Sequence, residues 1–183
     1  SGKKVILVTC HRRENYGEPM EHIMKALHRI AEDFPQTELV YPVHLSPVVQ
    51  DVAKKYLSGH PRIHLIQPLT PDEMHNLMAR ATFVMTDSGG LQEEAPALGR
   101  PVLVLRRETE RPEAVTAGTV LLAGTEEEAV YQHAAKLLTD PAAYEAMAKA
   151  VNPYGDGQAC RRIVDAILWK AGLRNQPPEE FLV

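Results

Sequence analysis

The stretch Asp87-Ser88-Gly89-Gly90, followed by Glu94, has the residue types of a phosphate and ribose site. Glycine lets the backbone approach a ligand closely, and the first amides of a helix favour phosphate. Glu94 lies about one helical turn beyond Gly90, where a carboxylate suits the hydroxyl pair of a ribose. The spacing therefore fits a nucleoside diphosphate. The alternative is a tight strand–helix turn, which explains one glycine better than two.

A second polar stretch, Thr9-Cys10-His11-Arg12-Arg13-Glu14-Asn15, also has the chemistry of an anion site. Arginine binds phosphate through two parallel hydrogen bonds, and histidine exchanges a proton near neutral pH. The alternative is a charged surface loop in which Glu14 pairs with an arginine. Residues 107–113 form a third charged stretch, with solvation or ligand binding as its two interpretations.

Short apolar runs predict the strands that position these stretches. Both faces of a parallel sheet are covered by helices, so its strands are short and rich in Val, Ile and Leu. The predicted strands are residues 5–9, 38–42, 63–66, 83–86 and 102–105, with 119–122 as a candidate sixth.

Helical patterns separate these runs, at residues 19–34, 46–57, 71–80 and 90–98. Ser46 is a predicted helix cap, Thr70 and Glu73 have the spacing of a capping box, and Gly99 is a stop signal. Further helices are predicted at 126–138, 141–150 and 157–171. Residues 3–173 are expected to form one domain, and 174–183 a tail.

The alternation of strand and helix predicts an α/β fold, a doubly wound parallel sheet of the Rossmann type. Ligands of such sheets bind beyond the carboxyl ends of the strands. All three polar stretches follow predicted strands, so we expect them to meet there. His44 also follows a strand, and contact with a ligand is one of its two interpretations.

Composition excludes several classes of protein. The chain has 183 residues, a net charge of −4 and a pI near 6.1, which disfavours a nucleic-acid binder. No apolar run approaches the ~18 residues of a membrane span. Cys10 and Cys160 have no CxxC spacing, which favours a reducing cytoplasm. No His, Cys, Asp or Glu residues have the spacing of metal ligands.

The motifs together resemble the bacterial non-hydrolysing UDP-N-acetylglucosamine 2-epimerases, over about residues 3–172. The matching stretches are His11-Arg12-Arg13-Glu14-Asn15, Tyr41-Pro42-Val43-His44, Asp87-Ser88-Gly89-Gly90-Leu91-Gln92-Glu93-Glu94-Ala95-Pro96, Glu110-Arg111-Pro112-Glu113 and Asn152-Pro153-Tyr154-Gly155-Asp156-Gly157.

The resemblance implies one half of a two-domain, GT-B-type cytoplasmic enzyme. The family interconverts UDP-N-acetylglucosamine and UDP-N-acetylmannosamine by eliminating and re-adding UDP, without a metal or redox cofactor, for surface polysaccharides. The acid and base carboxylates belong to an N-terminal domain that this chain lacks, so we expect the isolated chain to be inactive. The full-length protein is expected to be a homodimer.

The resemblance also assigns the site residues. Ser88, Gly89 and Gly90 match the diphosphate cradle, and Glu94 matches the ribose-binding carboxylate. His11 matches a catalytic histidine at the β-phosphate, where stabilising the leaving-group charge is often the largest catalytic contribution. The other matches are a ligand-binding arginine at Arg111, the uracil pocket at Leu69 and Met74, and a regulatory UDP-sugar contact at His44. Some members have Gln and Phe in place of Leu69 and Met74.

Two alternatives use the same nucleotide chemistry. One is the donor domain of a GT-B glycosyltransferase, which would not form the 2-acetamidoglucal intermediate. The other is a UDP-sugar sensor without enzymatic activity, which would need tight binding by the isolated domain.

Overall fold

Short runs of branched apolar residues form six parallel strands in the computed structural model, which describes residues 2–181. Each predicted strand, including the candidate sixth, is confirmed with ends that differ by at most one residue. The strands are β1 (Lys4–Thr9), β2 (Thr37–Pro42), β3 (Ile63–Ile66), β4 (Phe83–Thr86), β5 (Val102–Val104) and β6 (Val120–Leu122).

The strand order is β3-β2-β1-β4-β5-β6, with every neighbouring pair parallel. The order runs outward from β1 in one direction and from β4 in the other, so the direction of winding reverses between them. In a doubly wound sheet this reversal opens a crevice at the carboxyl ends of the two central strands. The predicted Rossmann-like α/β class is therefore confirmed.

Both faces of the sheet are buried. Ile6 and Val8 of β1 pack into one core cluster, whereas Leu7 packs into the other, because successive side chains of a strand alternate between faces. All three are fully buried. The apolar strand runs thus reflect helices packed on each side.

Eight helices surround the sheet within residues 2–181. The bounds are α1 (Glu18–Asp33), α2 (Pro47–Leu57), α3 (Pro71–Arg80), α4 (Gly89–Ala97), α5 (Pro112–Ala117), α6 (Glu127–Thr139), α7 (Pro141–Ala148) and α8 (Ala159–Lys170). The sequence predicts all of them except α5, with ends shifted by up to two residues.

Of the three predicted helix-end signals, those at Thr70 and Gly99 match the structure and the one at Ser46 does not. Thr70 caps α3, and the reciprocal bond from its backbone amide to Glu73 completes the predicted capping box. Gly99 has φ +65°, a conformation that glycine adopts without strain, just beyond α4. Ser46 is the N-cap of α2, but the prediction of a side-chain cap is wrong, because its hydroxyl contacts Tyr16 instead.

Two local elements escaped the sequence prediction. Residues Arg13–Asn15 form one 3-10 turn between β1 and α1. Helix α5 begins inside the charged stretch 107–113, where Pro112 takes the first helical position. The helix is too short for a helical repeat of apolar side chains to be recognised in the sequence.

The segment after α8 turns back along that helix. Arg174 forms an ion pair with Asp165, and Arg162 lies over the ring of Phe181, 5.6 Å from its centroid. The first residue of the chain and the last two residues of the predicted tail lie outside the described residues.

Candidate nucleotide site

The carboxyl edge of the sheet holds a cavity of about 230 Å³ beside the crevice between β1 and β4. Five residues that the sequence assigns to the site line it together: His11, His44, Leu69, Met74 and Ser88. Thr9, Pro42, Pro68 and Leu91 complete the lining. Segments that are distant in sequence thus meet at this cavity.

Hydrogen bonds to Asp87 fix the backbone of the loop after β1. Its carboxylate is fully buried, and Oδ2 accepts hydrogen bonds from the backbone amides of His11, at 2.8 Å, and Arg12, at 2.7 Å. The side-chain amide of Asn15 donates to the same oxygen at 3.0 Å and to the carbonyl of Leu105, also at 3.0 Å. This network ties the ends of β1, β4 and β5 together.

Sequence reasoning assigned Asp87 and Asn15 no role, although both lie within the motifs. The only indication in the sequence was the position of Asp87, which directly follows a buried strand and comes shortly before two glycines. A buried carboxylate needs hydrogen-bond donors, and only the fold shows that the loop after β1 supplies them.

The start of α4 has the chemical groups of an anion site. The hydroxyl of Thr86 accepts from the amide of Ser88 at 2.9 Å, which fixes the turn into the helix. A methyl group built on Gly89 would lie 3.7 Å from Nη2 of Arg12 and 3.8 Å from Nη2 of Arg111. Since the first amides of a helix have no intrahelical acceptor, two guanidinium groups and free N–H donors converge on this glycine.

Glu94 lies one turn along α4. A Cβ on Gly90 would be 3.4 Å from its Oε1, so the carboxylate lies against the glycine. The other oxygen is 3.0 Å from Nε2 of His75 on α3. His75, an exposed side chain, therefore lies beside the predicted ribose carboxylate.

Arg111 is held over the site by groups on two elements. Its guanidinium pairs with Glu93 of α4, which raises the pKa of the arginine further above its ordinary value. Its amide donates to the hydroxyl of Thr109 at 3.0 Å, and that hydroxyl donates to the buried Gln92 at 2.7 Å. The cationic group is therefore positioned before any ligand arrives.

Arg106 joins the loops after β1 and β5. It is almost fully buried and pairs with Glu14 and with Glu110, the latter at 3.0 Å. These bonds raise the pKa of Arg106 and lower that of Glu110. Glu14 does pair with an arginine, as the surface-loop alternative proposed, but its partner comes from a different strand's loop.

Tyr154, from the Asn-Pro-Tyr-Gly-Asp-Gly motif, packs near α5. Burial, and then the neighbouring charge of Glu113, raise the pKa of its hydroxyl to about 12. This motif therefore supports the helix that begins directly after Arg111.

His11 and His44 contact each other edge to face in the lining of the cavity, with ring centroids 5.3 Å apart.

Two kinds of feature are absent from the described residues. No group of three or more His, Cys, Asp and Glu side chains among residues 2–181 is arranged to hold a metal ion. Within the same range, no helix is both long and apolar enough to cross a membrane.

Comparison with known sequences identifies relatives of this chain. The family described as UDP-N-acetylglucosamine 2-epimerase matches residues 1–168. A UDP-N-acetylglucosamine 2-epimerase of Bacillus subtilis is 56% identical over 178 residues, which is 97% of this chain and 47% of that protein. The chain thus spans about half the length of the curated relatives it matches.

Solved structures agree with the sequence match. Staphylococcus aureus MnaA in complex with UDP superposes with a TM-score of 0.90 at 49% identity, over 98% of this chain and 49% of that one. A Neisseria meningitidis UDP-GlcNAc 2-epimerase bound to UDP-GlcNAc gives 0.86 at 45% identity, over 91% and 45%. The Escherichia coli heptosyltransferase WaaC, at 18% identity and a TM-score of 0.58, shares the fold alone.

These likenesses place the fold among the Rossmann-like halves of GT-B-type proteins. The match runs through the loops after β1, β2, β3 and β4 that meet at the cavity. The chain therefore belongs to the UDP-N-acetylglucosamine 2-epimerase family.

Proposed function

We propose that residues 3–173 are the UDP-binding half of an enzyme that interconverts UDP-N-acetylglucosamine and UDP-N-acetylmannosamine. One observation carries the proposal: the guanidinium groups of Arg12 and Arg111 converge on Gly89 at the start of α4, and Glu94 follows one turn later. Cationic groups and helix amides bind the diphosphate, and the carboxylate binds the ribose. The relatives solved with UDP and UDP-GlcNAc support the choice of nucleotide.

The other residues assigned to the site from the sequence also have roles in this proposal. Leu69 and Met74 cover the uracil with apolar surface, and Ser88 and Gly90 complete the phosphate cradle. His11 donates a hydrogen bond to the β-phosphate as UDP leaves the sugar. Donors aimed at developing charge lower the barrier more than they strengthen ground-state binding.

The remaining chemistry belongs to the other half of the enzyme. Removal of the C2 proton and its return to the opposite face need acid and base groups beside C2, and the N-terminal domain supplies them. The isolated chain binds UDP weakly and has no epimerase activity, because two-domain positioning contributes several powers of ten in rate. The full-length enzyme is a cytoplasmic homodimer, and His44 contacts a second, regulatory UDP-sugar.

Calorimetric titration of UDP into this chain tests the nucleotide assignment. Saturable binding is expected, and Ser88→Ala and Glu94→Ala should each weaken it, Glu94→Ala by roughly tenfold, as for loss of a hydrogen bond to a charged group. Glu145→Ala is the matched control, since Glu145 lies near Lys4 and Thr82 at the opposite edge of the sheet.

Binding that neither substitution changes would refute the proposed placement of the nucleotide. With the full-length enzyme, trapping of a 2-acetamidoglucal separates an epimerase from a glycosyltransferase with the same donor domain. An enzyme that transfers the sugar without forming this glycal would contradict the proposed reaction.

A further inference from the structure

The buried carboxylate of Asp87 uses only one of its two oxygens in the hydrogen bonds described above. Oδ2 accepts all three: two from backbone amides and one from Asn15. Among residues 2–181, Oδ1 has no hydrogen-bond partner, although the side chain is fully buried. A buried carboxylate oxygen without a donor is costly, so a neighbouring group that can donate is expected.

The imidazole of His11 is in position to be that donor. Its Nδ1 lies 3.5 Å from Oδ1 of Asp87. A hydrogen bond from nitrogen to oxygen needs roughly 2.7–3.2 Å, so a small rotation of the ring completes it. Such bonds are often long without substrate and shorten when the ligand binds. The same ring lines the nucleotide cavity, so its other nitrogen is available to a ligand.

The thiol of Cys10 is the competing donor. Burial, and then the charge of Asp87, raise the pKa of this thiol, so it stays protonated. A thiol is a weak donor compared with an imidazole N–H. The nearby hydroxyl of Tyr41 is already committed, because it donates to the carbonyl of Cys10 at 2.7 Å.

We propose that Asp87 is a positioning residue that holds His11 with a proton on Nδ1 and leaves Nε2 to face the β-phosphate of the nucleotide. The inference rests on the proposed function for the role of His11. When the ring is also protonated at Nε2, that N–H donates to the departing phosphate, and the buried carboxylate offsets the charge of the imidazolium.

His44 is expected to have the opposite tautomer and therefore serves as an internal reference for His11. Its Nδ1 accepts a hydrogen bond from the backbone amide of Ser46 at 3.0 Å, so neutral His44 carries its proton on Nε2. The rings of His11 and His44 contact each other and line the same cavity, yet they are expected to differ in tautomer.

Long-range proton–nitrogen NMR correlations of the ¹⁵N-histidine-labelled chain, recorded where the rings are neutral, test the proposal directly. We expect His11 to show the Nδ1–H pattern and His44 the Nε2–H pattern, with His11→Asn used for assignment. An Nε2–H pattern for His11 overturns the proposal. The measurement uses the unaltered chain and no nucleotide, so it stands apart from the test of UDP binding.

Asp87→Asn gives the second test. An amide can still accept the bonds made to Oδ2, but it presents an N–H to His11, which should switch that ring to the Nε2–H tautomer. Cys10→Ala should leave the tautomer unchanged. A switch in Cys10→Ala would assign the orientation to the thiol and overturn the proposal. Should Asp87→Asn fail to fold, the spectrum of the unaltered chain still decides.

Discussion

Two arginines from different loops meet at Gly89, where no side chain separates them from the helix amides. The glycine is not needed for backbone conformation, because its φ is not positive. Nor is the space filled, since a methyl group there would meet its neighbours at ordinary contact distances of 3.7 and 3.8 Å. The glycine is therefore better explained by a ligand than by folding.

Gly89→Ala should separate binding from stability. Alanine favours a helix, so the free energy of unfolding should stay unchanged or rise by up to about 0.5–1 kcal/mol. UDP affinity should fall roughly tenfold, because the methyl group occupies the path of the phosphate to the amides. Calorimetry and thermal unfolding of the same sample measure both, and an unchanged affinity would contradict a phosphate at this position.

The ion pair between Arg106 and Glu110 should make stability depend on pH. The pKa of Glu110 in the folded chain is lowered from 4.5, first by its hydrogen bond to Arg106. Its contribution is therefore fully present above that pH and lost as pH falls through the lower, folded-state pKa. Glu110→Gln should be less stable than the parent at pH 7, and the difference should shrink as the pH falls below 4.5.

Thermal unfolding at pH 7 and at about pH 3 measures this loss. Glu108→Gln changes an exposed carboxylate of the same loop and should show a smaller difference at either pH. A deficit in Glu110→Gln that persists unchanged at low pH would show that the glutamine disturbs packing rather than an ion pair.

Among the helices, α3 and α4 carry the two ends of the proposed nucleotide. Met74 of α3 lies in the cavity, and His75 of the same helix contacts Glu94 of α4. The position of α3 depends on its first turn, where the capping box of Thr70 and Glu73 satisfies amides that the helix leaves free. Stability of this turn is thus linked to the shape of the base pocket.

Thr70→Ala should lower the free energy of unfolding by about 1 kcal/mol, the usual effect of losing a side-chain cap. Ser46→Ala is the matched control, because Ser46 also stands at an N-cap but its side chain makes no capping bond. Chemical denaturation of both variants measures the difference. Equal losses would show that the box on α3 adds nothing to stability.

At the scale of the molecule, α8 carries apolar side chains that the rest of the described chain does not cover. Ile163, Val164, Ile167 and Leu168 are between 36% and 62% exposed, and their spacing places them on one side of the helix. Contiguous exposed apolar surface is typical of an interaction site. The chain covers about half the length of its relatives, so such a surface fits the proposed two-domain enzyme, in which the other half would pack against it.

The isolated chain should therefore self-associate as concentration rises. Ile163→Glu combined with Ile167→Glu should keep it monomeric without changing UDP affinity, because α8 lies outside the nucleotide cavity. Sedimentation velocity measures the association. Lys170→Glu alters the charge of the same helix without removing apolar surface and should still associate; a monomeric parent at all concentrations would contradict the prediction.

Local patterns in the sequence are sufficient to predict the sheet, most helices and the stretches proposed to bind the nucleotide. Strands of Val, Ile and Leu, the box at Thr70 and the glycine stop at Gly99 are local signals, because each depends on residues within a few positions. The order of those elements also predicted which ends of the strands hold the site.

The contacts between these side chains, by contrast, follow from the three-dimensional fold. The bonds of Asp87 to the loop after β1, the pairing of Arg106 with Glu14, and the meeting of Arg12 with Arg111 at Gly89 join residues far apart in sequence. Side chains that meet across a crevice share no periodicity along the chain. Asp87 is buried because three strands end together around it, and no local pattern near residue 87 predicts this arrangement.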